Sequence, residues 1–436
     1  MKIDRETASG NALGASASNH GRGPVYEWRL VLLSVLIQLI AGVLFGHVYD
    51  IRIFMATGYL VGTGQNPYMP QDLSAVFHNP AFQGITTVGY PPPWPLLLGG
   101  IYRVAYAPLA VFLLYNEAIK VPLILANVAL AYLTAACLRG LGADDSVARR
   151  AWVFLLLNPF LIYASAAWGQ FDSIVALISL AALMLLAKGK TKSSALLLAL
   201  AVAFKPTATP LLIVPFFYLK RKSLRDALSY YAVLILCGLS FCVLPFWVFR
   251  WDASPILQNW NAHFVVGGGL SLLAVLELLQ GSYRLPGNWW LVGLLWVPAL
   301  GIASLMLRGG IVGLRDLIRK STALLMTFFL TRAWLSEPNL ILVLPLVLIL
   351  TLTGDLNRLA LYAIWILPLI FGIANVSAPQ LFFPSMPGVM DSLLRWMEEF
   401  HTARLVAKVL IVIPWQIAGW WIVRQCFRPR PSEIAA

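Results

Sequence analysis

Apolar stretches follow one another along this chain with only short polar breaks between them. The first, 30–45, comes after a polar opening of 28 residues, and 195–204, 232–249, 291–307 and 341–351 carry almost nothing that could face water. Lipid is the solvent that suits such runs, and in lipid each backbone segment must satisfy its own hydrogen bonds, so the runs are expected to be helices. Spans are expected near 29–48, 113–138, 151–167, 173–187, 194–205, 207–219, 228–249, 289–307, 320–335, 340–353, 359–375 and 404–424. The fold class is therefore an all-α polytopic bundle of about 12 spans. Several are short, which suits broken or tilted helices around a cavity. The stretch 91–108 opens with Pro91-Pro92-Pro93 and holds Pro95, Gly99 and Gly100. It reads as a short re-entrant or interfacial helix, because a full span there would export the cluster Lys220-Arg221-Lys222.

Composition agrees with this picture. Of 436 residues 59% are hydrophobic and 12% charged, with a mean hydropathy of +0.77, whereas a soluble domain carries about 25% charged residues. A net charge of +13 would suggest nucleic acid in a soluble protein. Here 22 of the 32 Lys and Arg fall at one set of helix ends when the N-terminus is cytoplasmic, which is the positive-inside pattern. No nucleic-acid partner is expected, and the chain is placed in the cell membrane with both termini cytoplasmic. Residues 1–28 read as a disordered cytoplasmic tail. With no small-residue cleavage site, the first apolar run reads as a retained anchor. The four cysteines are too scattered for a disulfide framework and read as structural thiols.

The expected organisation is the tail, a transmembrane core over 29–225 with a first outer loop at 49–90, and a second transmembrane half over 226–436 with outer loops 250–288 and 376–403. Long loops on one face, opposite short basic turns, put the function on the outer face. Loop 250–288 contains Asp252, Asn259, Asn261, His263 and a Gly267-Gly268-Gly269 run that reads as flexible; loop 376–403 looks partly amphipathic.

Ionisable groups near a membrane are costly and count as functional candidates. Asp50 is expected where the first helix leaves the bilayer, at a C-terminal end whose macrodipole disfavours a carboxylate. It is either a solvating helix-end acid or a chemical group. Trp168-Gly169-Gln170-Phe171-Asp172-Ser173 joins two spans; its amide and carboxylate could bind hydroxyls and Trp168 could stack on a sugar, or Asp172 could simply cap the next helix. Lys205 precedes Pro206 between two apolar segments, where an ammonium needs an anion, a cavity or a route to the interface. Arg332 reads as lying inside an apolar helix, with Glu337 and Asn339 at the following outer turn; an intramembrane ion pair is the alternative reading there. Tyr90 and the prolines after it form either a rigid aromatic platform or part of an interfacial belt. A phosphate-cradling Gly-x-x-x-x-Gly-Lys loop, a paired-His metal helix and a Ser-centred elbow are all missing from the sequence.

Taken together, Asp50-Ile51-Arg52-Ile53-Phe54, Asn66-Pro67-Tyr68, Tyr90-Pro91-Pro92, Asn158-Pro159, Gly169-Gln170-Phe171-Asp172-Ser173-Ile174 and Lys205 resemble the pattern of GT-C-fold glycosyltransferases that use polyprenyl-phosphate sugars. The likeness is to phosphatidylinositol-glycan-type mannosyltransferases and to bacterial polyprenol-phosphate-sugar transferases, and it covers about 30–225. The two-acid Asp-x-Asp of the former is Val48-Tyr49-Asp50 here, which leaves mannose specificity and help from a divalent cation open. The resemblance implies inverting transfer on the outer face of a hexose or pentose from a polyprenyl-phosphate donor to a lipid, glycan or protein acceptor, with no firm cofactor and no resident metal. It implies Asp50 as base, Lys205 with Arg332 at the departing phosphate, and Tyr90, Gln170, Asp172, Glu337, Asn339, Arg52 and His263 as substrate-binding candidates. Two other classes compete. A lipid-linked sugar flippase or secondary transporter would often show pseudo-symmetric halves, and no repeat is visible. A membrane ligase or acyltransferase would need a His or Ser base, for which His263 is the loop candidate.

Overall fold

The polar residues of the first helix point inward and its leucines outward, the reverse of a soluble helix. In the computed structural model, which describes residues 26–86, 88–263, 266–282, 284–285, 287 and 289–429, α1 (Trp28–Leu44) buries Ser34, Gln38 and Gly42 while Leu32, Leu36 and Ile40 are exposed. An uncovered apolar face of this kind fits hydrocarbon rather than water. Helices follow almost without exception: α2 (Val48–Gly62), α3 (Pro93–Ile101), α4 (Phe112–Gly140), α5 (Asp145–Leu156), α6 (Asp172–Ala187), α7 (Thr191–Phe204) and α8 (Leu224–Cys242). The second half adds α9 (Trp296–Leu305), α10 (Gly313–Thr331), α11 (Leu344–Leu352), α12 (Arg358–Ala374), α13 (Pro387–Glu399) and α14 (His401–Phe427). The fold is all-α. Among the described residues four helical stretches are long and apolar enough to cross a membrane: Phe112–Gly140, Asp145–Ala167, Leu224–Phe249 and His401–Phe427. The most apolar part of Leu224–Phe249 is wholly unburied, with Leu236 66% and Trp247 79% exposed. Shorter apolar helices include α1, α6, α7 and α12. Residues 1–25, and with them the expectation of a disordered tail, lie outside the described residues.

Where α1 turns inward it is stitched by polar groups rather than by leucines. Ser34 Oγ donates to the Leu156 carbonyl at 2.6 Å, Gln38 donates to Ser34, and Asn127 donates to both Gln38 and Ser165 at 2.6 Å each. Hydrogen bonds between helices are the adhesive available where lipid competes equally for apolar contacts. The stretch 91–108 forms one short helix, α3, and a π-turn at Tyr102–Tyr106. It packs on α2, where Gly99 lets the two backbones approach: a Cβ there would meet Val61 Cγ1 at 2.3 Å.

The glycine run of loop 250–288 is paired instead of free. Gly268–Gly269 (β1) lies parallel to Trp334–Leu335 (β2). Gly269 has φ +61°, and a Cβ on it would stand 2.1 Å from the Leu335 carbonyl oxygen. Gly269→Ala should therefore cost about 1–3 kcal/mol, read as a lowered melting temperature in detergent. Gly301→Ala, where a Cβ meets open space, is the comparison; equal melting of the two variants would mean that this pairing contributes nothing. Loop 376–403 contains a helix, α13, none of whose residues is buried, with Val389, Trp396 and the following Phe400 exposed.

Candidate active site

Asp50 does not sit at the end of the first helix. The chain leaves α1 at Phe45, and Asp50 falls in the first turn of α2, where the helix dipole favours a carboxylate. The break between the helices is held from several sides. Lys120 Nζ donates to the Gly42 carbonyl at 2.7 Å and also to that of Phe45, and Asn116 Nδ2 donates to the same two oxygens at 2.7 and 3.1 Å. A buried lysine side chain thus closes the C-terminal end of α1. Beyond it, Gly46 N donates to Leu381 O at 2.7 Å and His47 N to Trp168 O at 3.1 Å.

The turn carrying Trp168 and Gln170 is delivered by a π-helical turn, Tyr163–Ala167, which Trp168 and Gly169 follow. Gly169 has φ +97°, and a Cβ would meet Ile51 Cδ1 at 2.7 Å, so glycine is required for this turn to lie against α2. As a result Trp168 Nε1 donates to Asp50 Oδ2 at 2.6 Å, and its ring stacks on His47 at 4.4 Å. His47 Nδ1 approaches the same oxygen to 3.1 Å, too obliquely for a well-formed hydrogen bond. Burial acts to raise the Asp50 carboxyl, but the neighbouring His47, Trp168 and Gln170 outweigh it and hold the group below the usual carboxylate range. Asp50 is thus held as the anion.

The second half of the site begins at Asp172, which opens the first turn of α6 rather than capping it. Lys205 reaches it from the end of α7, where the chain turns extended before Pro206. The Lys205 ammonium lies 2.7 Å from Asp172 Oδ2 and donates to Gln170 Oε1 at 3.2 Å. It also lies over the rings of Phe171 and Tyr90, at 5.1 and 5.6 Å. Tyr90 packs edge-on against Phe171 at 4.8 Å, lies near Gln170 and feels both Asp50 and Asp172. Burial, then those two charges, push its phenol well above the ordinary range, which keeps it a neutral donor. Five expected site residues, Asp50, Tyr90, Gln170, Asp172 and Lys205, therefore form one cluster.

Arg332, expected inside a helix, is the residue that ends α10. It lies close enough to Tyr90 to interact with it electrostatically, and its guanidinium stands 5.1 Å over the Phe328 ring. Glu337 is buried, accepts from Asn375 Nδ2 at 3.5 Å and is near enough to His47 for their charges to interact. Asn339 is buried with its Oδ1 unpaired. Arg52 turns elsewhere, donating to Val48 O at 2.9 Å and to Ala81 O, so it ties α2 to the loop that carries Ala81. The side chain of His263 lies outside the described residues.

His47 has no place in the sequence expectations, although its spacing three residues before Asp50 puts the two on one face of a turn. Trp168, expected as a free stacking platform, is engaged by Asp50 and His47. The acids are not arranged as an ion's ligands: Asp172 is turned to Lys205 and Asp50 to Trp168, and no three His, Cys, Asp or Glu among the described residues come together to share a cation. Compared with known proteins, the chain matches no family model and no curated protein.

Proposed function

We propose that this chain is an integral membrane glycosyltransferase of the GT-C type, with about twelve spans, that takes a sugar from a polyprenyl phosphate on the outer face. The observation that carries the reading is the Asp50 carboxylate, held ionised beside Tyr90 and Gln170 at one end of an apolar helical bundle. An acceptor hydroxyl bound there would lose its proton to Asp50 as its oxygen attacks the anomeric carbon. The bond from that carbon to the phosphate oxygen breaks, and its electron pair leaves with the phosphate, inverting the centre. A phosphate is already a good leaving group, so no second carboxylic acid has to protonate it, unlike in glycoside hydrolysis. A weak base suffices because the acceptor proton becomes acidic only as the new bond forms. Tyr90 and Gln170 offer a donor and an amide for sugar or acceptor hydroxyls, and the Asp172–Lys205 pair holds Gln170 in place.

The test is incubation of the purified protein, in lipid, with a panel of polyprenyl-phosphate hexoses and pentoses. Release of lipid phosphate together with a new glycoside supports the reading; movement of an unaltered donor across the bilayer would replace it with the flippase. Within it, Trp168→Phe keeps the stacked ring but deletes the indole donor to Asp50. A hydrogen bond to a charged group contributes about 1.5–3 kcal/mol, so transfer should slow about 10- to 100-fold. An unchanged rate in that variant would mean that the indole does not orient the base.

A further inference from the structure

The end of the bundle away from Asp50 holds its basic residues in two ways. α7 runs into Lys205 and α10 into Arg332, both near Tyr90, so the starts of those helices lie at the far end, and the chain returns there over 206–220. Of the arginines there, Arg139 is paired with Asp145 at 3.8 Å, Arg149 with Glu27, Arg315 with Asp355 at 2.7 Å and Arg319 with Asp316 at 3.8 Å. Lys220, Arg221, Lys222, Arg225 and Arg308 are exposed instead, and among the described residues none of them has a carboxylate partner. Asp226 is the one acid in 220–226. Lys220 and Lys222 fold back over the rings of Phe216 and Tyr218, at 5.5 and 5.1 Å, whereas the three arginines have no such ring among the described residues. These like charges come from two distant segments that the backbone holds together. Gly310 has φ +82°, and a Cβ on it would stand 2.2 Å from Arg221 Cδ, so the turn that follows Arg308 lies directly on Arg221. Lys222 N and Ser223 N close one turn on Leu219 O at 2.8 and 2.9 Å, and Gly310 N closes the other on Leu307 O at 2.8 Å. Charges of one sign placed this way repel one another and draw an anion.

From this we infer that Arg221, Arg225 and Arg308 form a binding site for an anionic phospholipid of the leaflet on their side of the membrane. The site lies at the opposite end from Asp50 and stands whether or not the chain transfers sugar. A guanidinium offers a phosphate two parallel N–H donors, and each basic residue at a membrane surface favours anionic lipid about fivefold. The surface beside the cluster suits the chains of such a lipid. Leu224, Leu228, Ile235 and Leu239 are exposed along one stripe of α8, which begins at the cluster, and Ile302, Leu305 and Met306 are exposed just before Arg308. A soluble polyanion would meet the cations and leave these apolar residues uncovered; a phospholipid covers both. The turn 188–192 supplies the contrast. Lys188, Lys190 and Lys192 are also exposed and without carboxylate partners among the described residues, but they come from a single turn and bring no guanidinium. A general excess of positive charge on one side of the membrane would treat the two places alike.

Lipid binding to the full-length protein in neutral micelles, followed by native mass spectrometry, is the measurement. The protein is titrated with phosphatidylglycerol and with phosphatidylcholine of the same chains, and the bound phosphatidylglycerol is then challenged with inorganic phosphate. The wild type should prefer phosphatidylglycerol by about 10- to 100-fold, as three such residues acting together imply. The triple variant Arg221→Gln, Arg225→Gln, Arg308→Gln should lose that preference. Lys188→Gln, Lys190→Gln, Lys192→Gln removes the same charge at the same end and should keep most of it. Arg308→Gln alone should lower the preference about fivefold, because this residue belongs to the second segment. All the substituted side chains are exposed, so the melting temperatures of the variants in neutral micelles should match the wild type. A wild type without preference, equal losses in the two triple variants, or an Arg308→Gln variant indistinguishable from the wild type overturns the site. Displacement of the lipid by an equal concentration of inorganic phosphate would assign the cluster to free anions and overturn the lipid identity.

Discussion

Asp50→Asn is expected to reduce transfer by about 10²–10⁴-fold, the usual worth of a positioned general base, without unfolding the protein. The asparagine keeps an oxygen for the Trp168 indole and for Gln170, so the geometry around position 50 survives while the proton acceptor is lost. Its melting temperature should stay close to that of the wild type. The pH profile carries a second part of the expectation. The folded carboxyl titrates below its ordinary value because His47, Trp168 and Gln170 outweigh burial. A depressed carboxyl contributes stability above its unfolded value, and that contribution is lost as pH falls through the folded one. Transfer should therefore be flat from neutral pH down to about pH 5 and decline only in stronger acid. His47→Gln removes the strongest of the lowering neighbours and should move the acid limb upward. Near wild-type transfer by Asp50→Asn would take the base role away from this residue, and an acid limb centred near neutrality would show that another group governs the rate.

Much of this arrangement is legible in the sequence, for reasons that differ from residue to residue. Apolar runs longer than any soluble core needs give the all-α class, because lipid leaves the backbone no alternative to helix. Asp50, Gln170, Asp172 and Lys205 stand out because ionisable or amide groups interrupt those runs, and they meet because the turns carrying them lie at the same end of neighbouring helices. What is not legible is direction. The break at Phe45 and Gly46 that moves Asp50 from the end of one helix to the start of the next is imposed by Asn116 and Lys120, some 70 residues away. Nothing local to 45–50 encodes those bonds. The pairing of Gly268–Gly269 with Trp334–Leu335 is equally non-local, so a run of glycines reads as slack until its partner is known. Arg52 misleads for the opposite reason. Its charge beside Asp50 suggests the site, yet at two residues' separation on a helix the side chains diverge, and Arg52 goes to the loop carbonyl of Ala81.

The largest change in stability should come from dividing the Asp172–Lys205 pair. Asp172 is 1% exposed and Lys205 6%, and their 2.7 Å contact is flanked by the rings of Phe171 and Tyr90. In such surroundings, removing one charge leaves the other without water or counter-ion, at about 3–5 kcal/mol. Lys205→Met should therefore be strongly destabilised, and Asp172→Asn somewhat less, since Gln170 still accepts from the ammonium. Removing both charges together should recover most of the loss, because a buried ion pair replaced as a unit is often close to neutral in stability. Unfolding of the wild type, both single variants and the double variant in mixed micelles gives the coupling as the departure from additivity. Additive single losses would mean that the two side chains do not depend on each other for burial. If the coupling is large, the pair has little net value to the fold, and its presence needs another account. The geometry offers one: the ammonium holds Gln170, and Gln170 lies near both Asp50 and Tyr90. The double variant should then fold yet transfer sugar slowly, separating the stability of the pair from its part in aligning the reacting groups.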